Sequence, residues 1–270
     1  MKRKLGYIVL PIVIGLLLGI GIVGIEVMLN RENVETSNYK KDELTSLIYA
    51  KTLSEMICES SKEVYKDPGP SEGKIAYITI DDGPSKYTNQ ILDILKANNV
   101  KATFFLIDGN MKKHESEVKR IVEEGSSVGF HSVSHDKEVL YKKPENTLEE
   151  FNTCKETFKS ITGKESNLIR LPYGSKPYMP ESSKKLLEVN NYMMWDWNLD
   201  TEDWRATTDN IVSNVLYYGR NRANLVVLMH EKEQTVDALE GIIKVLKERG
   251  YSIMPITQET QPRNYWDKNL

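Results

Sequence analysis

Cysteine is almost missing from this chain: Cys58 and Cys154 are the only two among 270 residues. Two thiols so far apart in sequence make no disulfide framework, even where an oxidising compartment would let them pair. Cys154 falls on the apolar stripe of an expected helix and reads as a buried free thiol, so redox chemistry is not expected. Excess positive charge is missing too. The 36 Lys and Arg residues face 39 Asp and Glu, leaving a net charge of −3 and a pI of about 5.9. No basic field is available to hold a polyphosphate backbone, and nucleic acid is not expected as a partner. No internal repeat or low-complexity tract is evident. Histidine is scarce, with four in the chain, yet two of them fall within "HSVSH", His131 to His135. Taken alone, that spacing fits two imidazoles sharing one solvated helix face.

Long apolar runs are also rare, and the one that exists lies at the start. Lys2, Arg3 and Lys4 precede an uncharged run from Leu5 to Ile25, long enough to cross the hydrocarbon core of about 30 Å as a helix. Glu26, Glu32 and Glu35 follow it with only Arg31 among them, so the positive-inside bias places residues 1–4 in the cytoplasm and the remainder outside. A cleaved signal peptide is the rival reading, with Gly19-Ile20-Gly21 as a poor cleavage site. The expectation is an uncleaved anchor over residues 5–29 in the cell membrane, passing once. Residues 30–73 then read as a partly helical stalk that ends in "KDPGPSEG".

From Lys74 a strand-then-helix rhythm takes over. "KIAYITI", "ATFFLI", "SVGFH", "NLIRL", "YMMWDW", "NLVVLMH" and "YSIMPI" have strand composition. Between them lie amphipathic helical stretches such as "TNQILDILKANN" and "TLEEFNTCKETFKSITG", the latter stopped by Gly163. This alternation predicts an α/β fold with a parallel sheet and helices outside it. Seven strands in this order suit a distorted, incomplete (β/α) barrel over residues 74–260, with a flavodoxin-like open sheet as the alternative and residues 261–270 as a C-terminal tail. The chain is taken as a monomer.

Parallel barrels build their sites at the C-terminal ends of their strands. There the chain carries "DDGPS" (Asp81, Asp82), His131 with His135, Arg170 in "RLPYG", "DTEDW" (Asp200 to Trp204) and His230 in "LMHE". "DDGP" is ordinary turn chemistry by itself, but that does not explain two carboxylates where a strand stops. Adjacent aspartates facing one site need a compensating cation. Two imidazoles and one carboxylate form a ligand set for catalytic Zn²⁺, which Co²⁺ and Ni²⁺ also accept. The remaining Asp then has the task of general base, and His230, oriented by Asp203, that of acid to a leaving amine. His114 reads as surface or structural, Trp195 and Trp197 as core or wall, and Trp204 as a wall of the substrate groove.

These motifs, in this order, resemble the polysaccharide deacetylase family, carbohydrate esterase family 4, with its NodB-homology domain. "TIDDGP", "KATFFL", "HSVSH", "RLPYG", "DTEDW" and "LMH" carry the resemblance, over roughly residues 74 to 256. It implies a distorted (β/α) barrel, Asp81 as base, and Asp82, His131 and His135 as ligands of one divalent metal. It further implies Arg170 as the partner of Asp81, His230 as acid and Asp203 as its orienting carboxylate. The Tyr173 backbone N–H would help hold the oxyanion, and Leu228 would line the pocket for the acetyl methyl. Ile80 replaces the family's usual Phe, and Leu171 stands where many members have a proline; neither removes a reacting group. An outward-facing domain on an anchor has peptidoglycan beside it, so the expected reaction is removal of acetyl from its N-acetylglucosamine. N-acetylmuramic acid, chito-oligosaccharide or acetylxylan are alternative substrates. The rivals from other classes are a tethered glycan-binding module and a phosphoesterase, and the second would favour a further metal or more cationic clamps.

Overall fold

The computed structural model describes residues 73–270. The expected anchor, nearly all of the stalk and Cys58 lie outside the described residues. Among the described residues no helix is long and apolar enough to cross a membrane. Cys154 is buried and unpaired.

Eight strands form one sheet: β1 (Ile75–Gly83), β2 (Thr103–Leu106), β3 (Ser127–Phe130), β4 (Leu168–Ile169), β5 (Met193–Met194), β6 (Leu199–Asp200), β7 (Asn224–His230) and β8 (Ser252–Ile253). Every pairing is parallel. The path runs β5-β4-β3-β2-β1-β7-β6, with β8 added beside β1. Parallel neighbours need crossovers, and helices supply them. They are α1 (Thr88–Ala97), α2 (Asp108–Lys113), α3 (Glu115–Glu123), α4 (Lys137–Leu140), α5 (Pro144–Thr162), α6 (Glu181–Val189), α7 (Thr208–Tyr218) and α8 (Glu233–Glu248).

The connection from β5 to β6 decides the curvature. These strands are the two ends of the path, yet only residues 195–198 separate them. Five extended residue steps reach at most about 18 Å. Flat, the six inter-strand spacings of that path would hold the ends about 29 Å apart. The sheet therefore curls back on itself, which rules out the flat open alternative. The fifth strand is shorter than "YMMWDW" suggests. The carbonyls of Trp195 and Asp196 accept hydrogen bonds from the Arg170 guanidinium instead of from a neighbouring strand. "DTEDW" in turn begins inside a strand of its own, Leu199–Asp200, which the sequence pattern did not reveal.

Curling gives the sheet two apolar layers. Along β1, Ala76, Ile78 and Ile80 face the helices, while Tyr77 joins the inner cluster of Phe105, Leu168, Trp195, Val226 and Ile256. The two-residue period of a strand makes that division. The helices answer it at their own period: α8 buries Ala238, Leu239, Ile242, Ile243 and Leu246. Each such aliphatic side chain larger than Ala contributes roughly 1.5–3 kcal/mol on burial. Helix α5 starts with Pro144 in its first turn and stops at Gly163, whose φ of +69° is the left-handed conformation glycine supplies. Gly129 answers a different need, because a Cβ there would sit 2.5 Å from the Phe105 ring.

Residues 263–266 dock onto the domain. The Arg263 carbonyl accepts from the Asp196 N–H, and the Tyr265 N–H donates to the Asp196 carboxylate at 2.8 Å. Trp266 Nε1 donates to the Ser175 carbonyl.

Candidate active site and metal centre

Strand alternation puts Thr79 and Asp81 on the inner face of β1 beside Tyr77, and by the same rule Asp82 should point at the helices. It does not, because the ladder to β2 slips at this residue. Asp81 pairs with Phe105 and Gly83 with Leu106, leaving Asp82 as the extra residue of a bulge with φ +70°. A bulge re-aims a side chain, and here it brings two consecutive carboxylates to one site. Asn110 Nδ2 fixes the turn by donating to the Asp82 carbonyl at 2.8 Å. Gly83 is required by a close approach, since an added Cβ would meet Glu231 Oε1 at 2.2 Å. The other oxygen of Glu231 accepts from Ser85 and Thr88 hydroxyls at 2.6 and 2.7 Å, bolting the loop to the end of β7. Burial pushes the Glu231 carboxyl upward against those two hydrogen bonds.

"HSVSH" is a tight turn, not a helix face. Ser132 and His135 both have positive φ, +73° and +51°, and Ser132 Oγ accepts from the His135 N–H at 3.0 Å. Glu150 accepts from the Val133 and Ser134 N–H groups, both at 3.0 Å. Non-glycine residues in left-handed backbone are costly, and they collect where function demands it. The turn carries His135 Nε2 to 3.3 Å and His131 Nε2 to 3.6 Å from Asp82 Oδ1. All three ligand atoms lie within 4.8 Å of one another. Donor atoms held at 2.0–2.1 Å by one tetrahedral ion stand about 3.3–3.4 Å apart, close to the two spacings from Asp82. Asp82 Oδ1 is buried without a hydrogen-bond partner, as a carboxylate oxygen reserved for a cation would be.

The imidazoles differ in surroundings. His131 is buried, and its Nδ1 faces the Arg170 carbonyl at 2.8 Å, which fixes the ring with Nε2 turned to the site. Burial holds its pKa below the ordinary value, with Asp81 and Asp82 opposing, so it is neutral and ready to ligate. His135 is raised, first through its contact with Asp82. Burial pushes Asp82 up, but the His135 imidazole beside it and the charge of His230 outweigh this and hold its carboxyl far below the usual range.

Asp81 is divided between two partners. Its Oδ1 accepts from Arg170 Nη1 at 2.9 Å, while Oδ2 faces His131 Nε2 at 3.7 Å. Arg170 is fully buried with every guanidinium nitrogen engaged: Nη1 also donates to Thr79 Oγ1 at 2.6 Å, Nε to the Trp195 carbonyl and Nη2 to the Asp196 carbonyl. Its guanidinium lies 4.3 Å from the Phe105 ring centre, over the inner apolar layer. Across the site, His230 Nδ1 pairs with Asp203 Oδ1 at 2.8 Å. Asp203 is itself fully buried, and its Oδ2 accepts from the His230 N–H and from Thr235 Oγ1, both at 2.6 Å. Burial alone would push the His230 imidazolium down. The Asp203 hydrogen bond and charge, with Asp81 and Asp82 behind them, raise it instead to about 9.

The expected residues thus converge, with two of them on the rim. Tyr173 and Trp204 are 56% and 55% exposed. Tyr173 has φ +64°, and its backbone N–H donates to no acceptor among the described residues. Leu228 is buried in β7 two residues before His230, on the same strand face. His114 lies between α2 and α3, 3.7 Å from Glu117 and away from the centre. Trp195 is core. Sequence reasoning missed Thr79, Asn110, Ser175, Asp196, Glu231 and Thr235. A signal existed for two of them: Thr79 shares the inner face with Asp81 two residues on, and Asp196 is a lone acid inside the apolar run "YMMWDW".

Comparison with known proteins agrees with this geometry. Residues 69–194 match the family described as polysaccharide deacetylase. A peptidoglycan-N-acetylglucosamine deacetylase of Bacillus cereus is 39% identical over 207 residues, covering 73% of this chain and 75% of that one. The crystal structure of the polysaccharide deacetylase Bc1974 from Bacillus cereus superposes with a TM-score of 0.70 at 38% identity, covering 73% of this chain and 98% of that one. A Bacillus anthracis protein described as a CE4 family pseudoenzyme also shares the fold, with a TM-score of 0.64 at 26% identity over 73% of this chain and 72% of that one.

Proposed function

This chain belongs to the polysaccharide deacetylase family, and we propose that it hydrolyses the N-acetyl group of peptidoglycan N-acetylglucosamine, releasing acetate and leaving a free amine. The observation that carries this reading is an Asp82–His131–His135 cluster with a base, Asp81, and an acid, His230, beside it on the paired ends of β1 and β7. The fold alone would not carry it, because a pseudoenzyme shares that fold.

Asp82, His131 and His135 would hold one divalent ion, and their two nitrogens and one oxygen suit Zn²⁺, with Co²⁺ or Ni²⁺ able to take the same ligands. Bound there, the ion supplies Lewis acidity for the carbonyl and for the attacking water. Asp81 accepts the proton of that water at Oδ2, the oxygen that Arg170 leaves free. The unengaged Tyr173 N–H stabilises the developing oxyanion. His230 donates from Nε2 to the departing amine, since Asp203 occupies its Nδ1. Leu228 borders the space for the acetyl methyl, and Trp204 forms a wall of the groove. A binding module has no use for this buried acid and base. A phosphoesterase would need cationic clamps, and the buried guanidinium here is already spent on Asp81 and three neutral oxygens. Acetate release from defined peptidoglycan fragments, measured with and without chelator, tests the reading. Chelator-sensitive acetate supports it; phosphate release or mere binding defeats it.

The charge order of residues 1–35 supports an anchor at 5–29 that leaves the catalytic domain outside the cell, next to that polymer.

The His230–Asp203 pair sets a pH limit. The imidazolium must be protonated to act, so turnover is expected to fall as pH rises toward about 9, and the charge of a bound dication brings that limb lower. Asp203→Asn removes the anion that raises His230, so the basic limb of kcat should move to lower pH by one unit or more, by about the relation of 1.4 kcal/mol per unit. An unmoved limb would assign it to another group. The same pair stabilises the fold fully below the unfolded pKa of about 6.5, and this contribution is lost as pH rises through the folded value.

A further inference from the structure

Nine large apolar side chains are exposed among the described residues, and five of them, Val133, Val139, Tyr173, Tyr178 and Trp204, stand on the segments that follow β3, β4 and β6. Exposed apolar surface gathered beside a site marks contact with a ligand rather than chance. Four of the five stand on the segments that follow β3 and β4, and the rings among them are in order. Tyr173 meets the His135 ring edge-on at 5.1 Å, and Tyr178 meets Tyr173 at 6.4 Å. Lys137 Nζ lies 4.5 Å above the Tyr178 ring. A continuous shelf therefore leads from His135 outward and ends on an ammonium group. On the opposite rim Arg205 is already tied to Glu202 at 2.5 Å, whereas Lys137 has no carboxylate partner among the described residues.

We propose that this shelf is a subsite for the sugar next to the one being deacetylated, with its ring on Tyr178, and that Lys137 selects a neighbour bearing a carboxylate. The inference rests on the deacetylase reading. A pyranose offers an apolar C–H face to an exposed ring, and two rings in edge-to-face contact hold each other in place for it. In peptidoglycan every second sugar carries a lactyl ether ending in a carboxylate or in a peptide, whereas chito-oligosaccharides have no anionic group. An ammonium poised over an aromatic face, with no anion of its own, keeps its charge available to such a neighbour. The shelf would thus favour the acidic wall glycan over a neutral polymer of equal length. Asp136 and Glu138 flank Lys137 in sequence, but the Asp136 carboxylate is engaged with the Glu138 N–H at 2.9 Å.

The test uses the full chain carrying Asp81→Asn, so that binding is read without turnover, against two tetrasaccharides. One alternates N-acetylglucosamine with N-acetylmuramic acid, and the other contains N-acetylglucosamine alone. Adding Lys137→Gln should weaken binding of the acidic tetrasaccharide by about two- to fivefold, the range of an exposed ion pair, and narrow its advantage over the neutral one. Lys137→Arg should restore that advantage. Tyr178→Ala should weaken both by about fivefold, and Tyr178→Phe should not. The proposal is overturned if Lys137→Gln shifts both ligands equally or neither, or if Tyr178→Ala changes neither while the melting temperature is kept. Acetate release by the unmutated chain is measured in parallel. Its absence with the binding pattern intact would defeat the deacetylase reading and leave the subsite standing; its presence without the pattern would defeat the subsite alone.

Discussion

Asp81→Asn is expected to lower kcat for acetate release by about 10²–10⁴-fold while leaving the bound metal in place. The substitution preserves shape, and an asparagine oxygen can still accept from Arg170 Nη1, so the loop that carries Asp82 has no reason to move. What disappears is the capacity to take a proton at the oxygen facing His131. Asp82 cannot substitute for it, because the charges around Asp82 hold its carboxyl far too acidic to serve as a base near neutral pH. The effect should fall on kcat and kcat/KM alike, since the proton moves only in the transition state. Metal content by mass spectrometry, measured beside the kinetics, separates this from loss of the site. Retained turnover would assign the base elsewhere, and lost metal would make Asp81 a ligand.

Arg170→Met is expected to destabilise the fold by about 3–5 kcal/mol, the cost of leaving one member of a buried ion pair unpartnered. For a domain of this size that lowers the melting temperature by about 6–20 °C. Methionine approximates the length of arginine and suits the contact with Phe105, so packing is not the main loss. The loss is electrostatic. Asp81 is 2% exposed, and it would keep its charge without the cation beside it or take up a proton and cease to be a base. Thr79 Oγ1 and two backbone carbonyls lose their donor at the same time. The double variant Arg170→Met/Asp81→Leu should recover much of the stability and none of the activity, because replacing both charges removes the unpaired one. Thermal denaturation of the three proteins tests this. A single variant as stable as the parent would mean the pair is solvated and contributes nothing.

Much of this site was legible in the sequence because strand ends are where a parallel barrel places its chemistry, and strand ends can be read from composition. Asp81, His131, Arg170 and His230 each follow a β-rich run, and the structure gathers them. What could not be read was the direction of Asp82. Adjacent residues on a strand point to opposite faces, and only the bulge at φ +70° reverses that for Asp82. The sign of a backbone angle leaves no trace in composition when the residue is not glycine. The turn at His131–His135 escaped for the same reason, since its i, i+4 spacing imitates a helix. Asp196, Thr235 and Glu231 act through contacts far away in sequence, with Tyr265, Asp203 and Ser85 respectively, and periodicity reports only near neighbours. The docking of Tyr265 and Trp266 was hidden behind a stretch with no strand or helix pattern.

The account depends most on one ion being shared by Asp82, His131 and His135. Equilibrium dialysis of the metal-stripped chain against Zn²⁺, followed by X-ray absorption at the zinc edge, measures this directly. One ion per chain is expected, with nitrogen and oxygen neighbours at 2.0–2.1 Å that include two imidazoles, and Asp82→Ala should abolish stoichiometric binding. Two ions per chain, or an Asp82→Ala protein that binds zinc as tightly and with the same ligand shell, would contradict it.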